Sequence, residues 1–185
     1  MKNTYLTSHF PLFSIVLFSL SLSIYSEGWI TAYLSEIGLY SGMIEFFSER
    51  GIQLTLLFLA WLFFFMLFSA LKLIADTVNE LSLLFFSKDE EGSDLKGLRG
   101  GSWIFLISSA LSVGFAFNIF FLMALFSIAC ISYFVFFVYK VSHSLSFFSL
   151  LGIVFFHTFF WFSFIIAVTF ALLKLYNSII ASLPI

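Results

Sequence analysis

The sequence predicts an all-α, polytopic transmembrane helical bundle, and two observations lead to that class. Hydrophobic residues make up 62% of the 185-residue chain and charged residues only 10%, whereas soluble domains are about half apolar and a quarter charged. Four apolar stretches contain almost no charge and no period-2 alternation; they cover 10–25, 52–71, 103–139 and 145–173. Because lipid requires every backbone group to be satisfied within a helix or a closed barrel, these stretches are predicted to be helices.

Charge and cysteine content narrow the function classes. The net charge of −2 offers no basic surface of the kind that binds nucleic acid. A single cysteine, Cys130, leaves no disulfide framework and no cysteine-based metal site. No nucleophile elbow, Walker sequence or zinc-protease motif is present. We therefore expect a protein that is not an enzyme, has no catalytic residues, holds no cofactor or metal, and does not bind nucleic acid.

The first apolar stretch predicts a span over about 10–26. Lys2 followed by an apolar core and several serines also resembles a cleavable signal peptide, which stays open as an alternative. The serines lack an Ala-x-Ala arrangement, so we expect an uncleaved anchor. In the next segment, 27–50, apolar residues recur every three to four positions among four glutamates. Gly38 and Gly42 interrupt that pattern, which predicts one or two short helices in an outer interfacial segment.

The second stretch predicts one helix that is longer than a membrane is thick. From Ile52 to Ser87 it contains neither Gly nor Pro, which as one helix measures about 54 Å. We expect a span over about 52–74, followed by a cytoplasmic helix extension and a charged loop over 72–101. The loop is predicted to be a solvated linker. The extension carries an apolar stripe, whose members are Leu71, Ile74, Val78, Leu81 and Phe85.

The third stretch is about 55 Å long as a single helix and therefore predicts two spans. Gly114 and Asn118 bound its only helix-weakening cluster, so we place a hairpin there. The spans are then about 102–117 and 119–140, and the last span is about 146–172. Altogether this single membrane domain of residues 1–185 crosses the membrane about five times.

Lysine and arginine predict the orientation of these spans. Five crossings place five of the positive residues on one side and two on the other; the five are Lys2, Lys88, Lys96, Arg99 and Lys140, and the two are Arg50 and Lys174. Positive residues in short loops stay in the cytoplasm. We expect a multi-pass plasma-membrane protein with a cytoplasmic N-terminus and an outer C-terminus.

Four polar residues are candidates for function. His157 lies near the middle of the last predicted span, where an ionisable side chain is costly and points to a proton or ligand role. A neutral imidazole that bonds a serine or a backbone carbonyl and steadies packing is the alternative, and we favour it. Lys72, Asp76 and Glu80 follow one another at four-residue spacing. This spacing is compatible with a charged ladder or with a cation site formed by the two carboxylates. The alternative, which we favour, is a solvated helix face with one i,i+4 ion pair.

Several segments together resemble the YufK-like family of small integral membrane proteins from Gram-positive spore-forming bacteria. They include ALKLIADTVNELSLLFFSKDEEG at 70–92, RGGSWIFL at 99–106, YFVFFVYKVSHSLS at 133–146 and KLYNSIIASLP at 174–184. The resemblance extends over nearly the whole chain and implies a bacterial plasma membrane. It carries no activity, substrate or catalytic residue over to this sequence.

Two function classes remain, and they assign the polar residues different roles. We expect a non-enzymatic accessory or scaffold subunit that binds a membrane protein partner through its helix extension and loop, because the polar surface is concentrated there. The alternative is a small oligomeric transporter or channel with His157 on its path. The expected partners are the lipid bilayer and either a membrane protein or further copies of the chain.

Overall fold

A computed structural model describes residues 8–89 and 92–182, and the only regular secondary structure in this part of the chain is helical. The predicted all-α class is confirmed, whereas Lys2 and Pro184 lie outside the described residues. The helices are α1 (Phe10–Glu36), α2 (Leu39–Phe46), α3 (Glu49–Phe86), α4 (Ser93–Leu98), α5 (Ser102–Gly114), α6 (Ile119–Val141) and α7 (Phe147–Ser182), with a 3₁₀ turn at Arg99–Gly101 before α5.

Four of the described helices are long and apolar enough to cross a membrane: α1, α3, α6 and α7. Each coincides with a predicted span. The remaining predicted span, 102–117, corresponds to α5, which has 13 residues and is about 20 Å long. A hydrocarbon core is about 30 Å thick, so α5 is too short to cross it alone. The topology of five crossings stays a prediction.

The first helix is longer than expected, and the outer segment 27–50 is correspondingly different. Helix α1 continues through Gly28 to Glu36, because one glycine costs a helix only about 1 kcal/mol. The break occurs at Gly38, where φ is +76° and the glycine N–H bonds the Ser35 carbonyl at 3.1 Å. Only α2 is a separate short helix, and Gly42 lies within it.

The second long helix is continuous, as predicted. Helix α3 has 38 residues and measures about 57 Å; the Ser48 hydroxyl caps its start by accepting from the Gly51 N–H at 3.2 Å. The loop that follows is more than the solvated linker we expected. It forms α4 after Gly92, and Leu98 is buried, because that apolar side chain packs against the ends of α3, α6 and α7. Residues 90 and 91 of this loop are outside the described part.

The predicted hairpin at 114–118 is confirmed. Helix α5 ends at Gly114 and α6 begins at Ile119. The Asn118 side chain accepts hydrogen bonds from the backbone N–H groups of Phe120 at 3.0 Å and Phe121 at 3.3 Å. These bonds satisfy N–H groups at the start of α6 that have no partner within the helix.

Ring contacts show how the helices run relative to one another. The Phe10 and Trp103 rings of α1 and α5 lie 4.4 Å apart, and the Ser21 and Ser112 hydroxyls lie 2.9 Å apart, so α1 and α5 run in the same direction. Phe18 of α1 contacts both Phe68 of α3 and Phe126 of α6. Tyr133 of α6 and Phe105 of α5 are in contact, and Asn79 of α3 reaches Tyr133. Consequently α3 and α6 run opposite to α1, and they continue past its first residue.

Two packed regions result. In the first, α1 and α5 bury hydroxyl groups on facing sides; we call this the serine seam, and its members are Ser14, Ser21, Ser109 and Ser112. In the second, the overhanging ends of α3 and α6 join α4 and the start of α7. We call this region the head, with residues 78–86, 93–98, 133–141 and 147–157. It contains a hydrophobic core of Leu83, Leu98, Phe137, Val141 and Ile153.

Candidate functional site: a polar network at the base of the head

His157 is buried between helices, as we predicted from the free-energy cost of exposing an imidazole to lipid. Its side chain is only 3% exposed, and the Phe134 and Phe137 rings of α6 lie 5.4 and 5.0 Å from the imidazole. It is not at the middle of α7, however. Only ten residues of α7 precede it and 25 follow it, so the imidazole lies at the base of the head.

Both imidazole nitrogens have partners. Nδ1 donates to the Ile153 carbonyl, one turn earlier in α7, at 3.0 Å. Nε2 lies 3.1 Å from the side-chain amide of Asn79 on α3. The other end of that amide is 3.5 Å from the Tyr133 hydroxyl of α6. His157, Asn79 and Tyr133 therefore form a chain of polar contacts that joins α7, α3 and α6, and we call it the polar network.

The direction of these bonds depends on the imidazole proton. A carbonyl only accepts, so Nδ1 carries a hydrogen in either state. When the ring is neutral, Nε2 accepts, which requires the Asn79 amide nitrogen to face it and the Tyr133 hydroxyl to donate to the amide oxygen. When the ring is charged, Nε2 donates to the amide oxygen and the amide nitrogen donates to Tyr133. Protonation of His157 therefore reverses the whole polar network through a rotation of one amide.

The three charged candidates lie on α3 apart from His157. Lys72 and Asp76 form an i,i+4 ion pair whose side chains are 37% and 45% exposed, and Glu80 is exposed. Within the described residues no bond links any of them to His157, and no group of three or more His, Cys, Asp and Glu side chains is placed to hold a metal ion. The structure thus brings Lys72 and Asp76 together and leaves Glu80 outside their pair. Whether these residues act in function stays a prediction.

The sequence did not lead us to Asn79 or Tyr133, because the predicted apolar stripe assigned the wrong face of α3 to the interior. The predicted apolar stripe included Leu81 and Phe85, yet both are exposed. The buried face instead holds Val78, Asn79, Ser82 and Leu83. Polar side chains belong on this face because His157 supplies a partner there. The available signal was the neutral amide of Asn79, directly beside Val78, which is the buried member of the predicted stripe.

Glycines mark two close approaches around the head. A Cβ on Gly152 of α7 would clash with the Phe86 ring of α3. A Cβ on Gly101 would lie 2.7 Å from the Tyr133 ring. The absence of a side chain at these positions lets α7 reach α3 and lets the start of α5 reach α6. Both approaches hold the helices that carry the polar network.

Comparison with known proteins supplies the family. Residues 27–184 match the family of unknown function DUF5366. The chain is 50% identical over 185 residues to the "uncharacterized membrane protein YufK" of Bacillus subtilis (strain 168), and the match covers all of both chains. No solved structure matches. This similarity and the four apolar helices show a membrane protein, and the chain belongs to the DUF5366 family, in agreement with the resemblance of its sequence to YufK-like proteins.

Proposed function

We propose that the protein is a non-enzymatic accessory or scaffold subunit of the bacterial plasma membrane that binds a protein partner through its head. The observation that carries this proposal is the outward face of α3 within the head. Leu84 and Phe85 are 74% and 63% exposed there, one turn beyond the exposed Glu80 and shortly before the exposed Lys88.

This face has the make-up of a helix-binding surface. Adjacent exposed apolar side chains rimmed by charges are typical of protein interaction sites. An amphipathic helix commonly meets such a partner through residues spaced three and four apart, as Leu81, Leu84 and Phe85 are. The opposite face of the same helix is already packed in the head, so the extension is held rigidly in place for a partner. In the expected orientation the head faces the cytoplasm.

Affinity purification in mild detergent tests the proposal with two matched variants. The parent protein should retain a partner in a constant ratio, and Leu84→Glu should lose it while the variant still purifies as a folded protein. Tyr139→Glu changes a residue that is 62% exposed on the α6 side of the head, and it should retain the partner. Loss of the partner from both variants, or no partner in a constant ratio with the parent, would contradict the proposal.

A small oligomeric transporter or channel is the second candidate, and the polar network favours it. His157, Asn79 and Tyr133 connect three helices through groups that can pass hydrogen bonds, beside the start of the apolar part of the bundle. Ionisable groups at such positions often belong to proton or ion pathways. A pH-dependent ion flux in proteoliposomes that His157→Ala removes would favour this candidate over the accessory role.

A further inference from the structure

The C-terminal half of α7, residues 165–182, stands apart from the bundle. Every one of these residues is exposed, and the buried residues of α7 are Ile153 and His157, both in the head. We call residues 165–182 the distal half. Lipid covers apolar side chains without cost, but the distal half also carries two exposed polar residues, Lys174 and Asn177, just beyond the predicted span 146–172.

Glu27 carries the charge opposite to that of Lys174 and lies at a similar height in the bundle. Lys174 is the only charged residue of α7 and lies 17 residues after His157, about 26 Å along the helix. Glu27 lies 17 residues after Phe10 of α1, which is again about 26 Å. Phe10 and His157 both lie at the base of the head, so Lys174 and Glu27 reach similar heights. Segment 27–50 contains four glutamates and one arginine. Within the described residues Lys174 has no ion pair.

A groove between α1 and α3 offers a place for a helix. It has a volume of about 330 Å³ and is lined entirely by apolar and aromatic side chains, among them Val16, Phe58, Trp61 and Phe65. In a membrane such a groove is filled either by acyl chains or by the side chains of another helix.

We propose that two copies of the chain associate in the membrane, with the distal half of α7 from each lying in the α1–α3 groove of the other. A two-fold axis along the membrane normal keeps every residue at its own depth. Lys174 then meets Glu27 of the second copy. This interface is separate from the head, so either proposal can fail alone.

Disulfide cross-linking tests the interface. In a full-length Cys130→Ser background, Ala171→Cys and Phe65→Cys are combined, because each lies 14 residues from the contact between His157 and Asn79. The control combines Phe65→Cys with Leu173→Cys, which is turned to the opposite side of α7. Oxidised membranes should yield a covalent dimer from the first pair and not from the control. Equal dimer from both pairs, or none from the first, would overturn the proposal.

Charge reversal provides the second measurement. Lys174→Glu and Glu27→Lys should each lower the cross-linked dimer about fivefold, the upper range for a partly screened ion pair. The double variant Lys174→Glu with Glu27→Lys should restore it. Purified yield and thermal unfolding in detergent confirm that each variant is folded. If the double variant cross-links no better than the single variants, Lys174 and Glu27 do not form a contact and the proposed position of α7 in the groove is wrong.

Discussion

The serine seam and the head are packed by opposite means. Between α1 and α5 the buried side chains other than Phe10 are small hydroxyls that bond carbonyls of their own helices, such as Ser14 to Phe10 at 2.8 Å and Ser112 to Ser109 at 2.7 Å. In the head the hydrophobic core consists of large apolar side chains, with Phe137 only 1% exposed and Ile153 fully buried. The difference follows from the surroundings. Lipid gives apolar side chains no reason to leave the surface, so helices there associate by close approach of small residues.

The head resembles the core of a soluble protein because it has what such a core needs. The ends of several helices meet there, and their large apolar side chains pack against one another, as Leu83, Phe137 and Ile153 do. In the apolar part of the bundle the large side chains point outward instead; Phe120 is 83% exposed and Phe63 is 58% exposed. The comparison therefore implies that large-to-small changes weaken the head, whereas small-to-large changes weaken the serine seam.

The largest expected effect is in the head. Phe137→Ala removes a buried ring that packs against His157 and should lower the free energy of unfolding by about 3–5 kcal/mol. Phe120→Ala on the same helix changes an exposed ring and should cost far less. Reversible unfolding in mixed detergent micelles measures both. Similar losses for Phe137→Ala and Phe120→Ala would show that the head is not the stabilising core.

An intermediate effect is expected in the serine seam. Ser112→Leu places a large side chain where the Ser21 hydroxyl approaches to 2.9 Å and should destabilise the protein by about 1–3 kcal/mol. Ser112→Ala keeps the close approach and should cost about 0.6 kcal/mol, the average for hydrogen bonds between membrane helices. The same unfolding measurement applies. A Ser112→Leu protein as stable as the parent would show that α1 and α5 are not packed closely at this point.

The smallest expected effect concerns the polar network at the base of the head. In a double-mutant cycle, Asn79→Leu and His157→Phe should show a coupling free energy of about 0.6–2 kcal/mol, because they share one hydrogen bond. Asn79→Leu with Lys72→Met is the control pair and should be additive within about 0.5 kcal/mol. A coupling near zero for Asn79 with His157 would mean that the polar network does not hold α7 to α3.

Sequence alone determined the membrane class, the continuous α3 helix, the hairpin at 114–118 and the burial of His157 between helices. Each depends on local physics: apolar length, absence of Gly and Pro, a capping asparagine, and the cost of an imidazole in lipid. It did not predict that α1 continues past Gly28, because a single glycine is a weak breaker and packing overrides it. The charged loop was also misjudged, because the burial of Leu98 depends on three distant helix ends.

Only the tertiary structure decided which side of α3 faces inward. The apolar stripe predicted Leu81 and Phe85 on the inside, but the helix presents Asn79 and Ser82 there, because His157 of α7 and Tyr133 of α6 supply polar partners from positions 78 and 54 residues away. A hydrophobic pattern ranks faces by apolarity, and it contains no information about a hydrogen-bond partner elsewhere in the chain. The polar network and the head therefore follow from long-range contacts that local sequence does not encode.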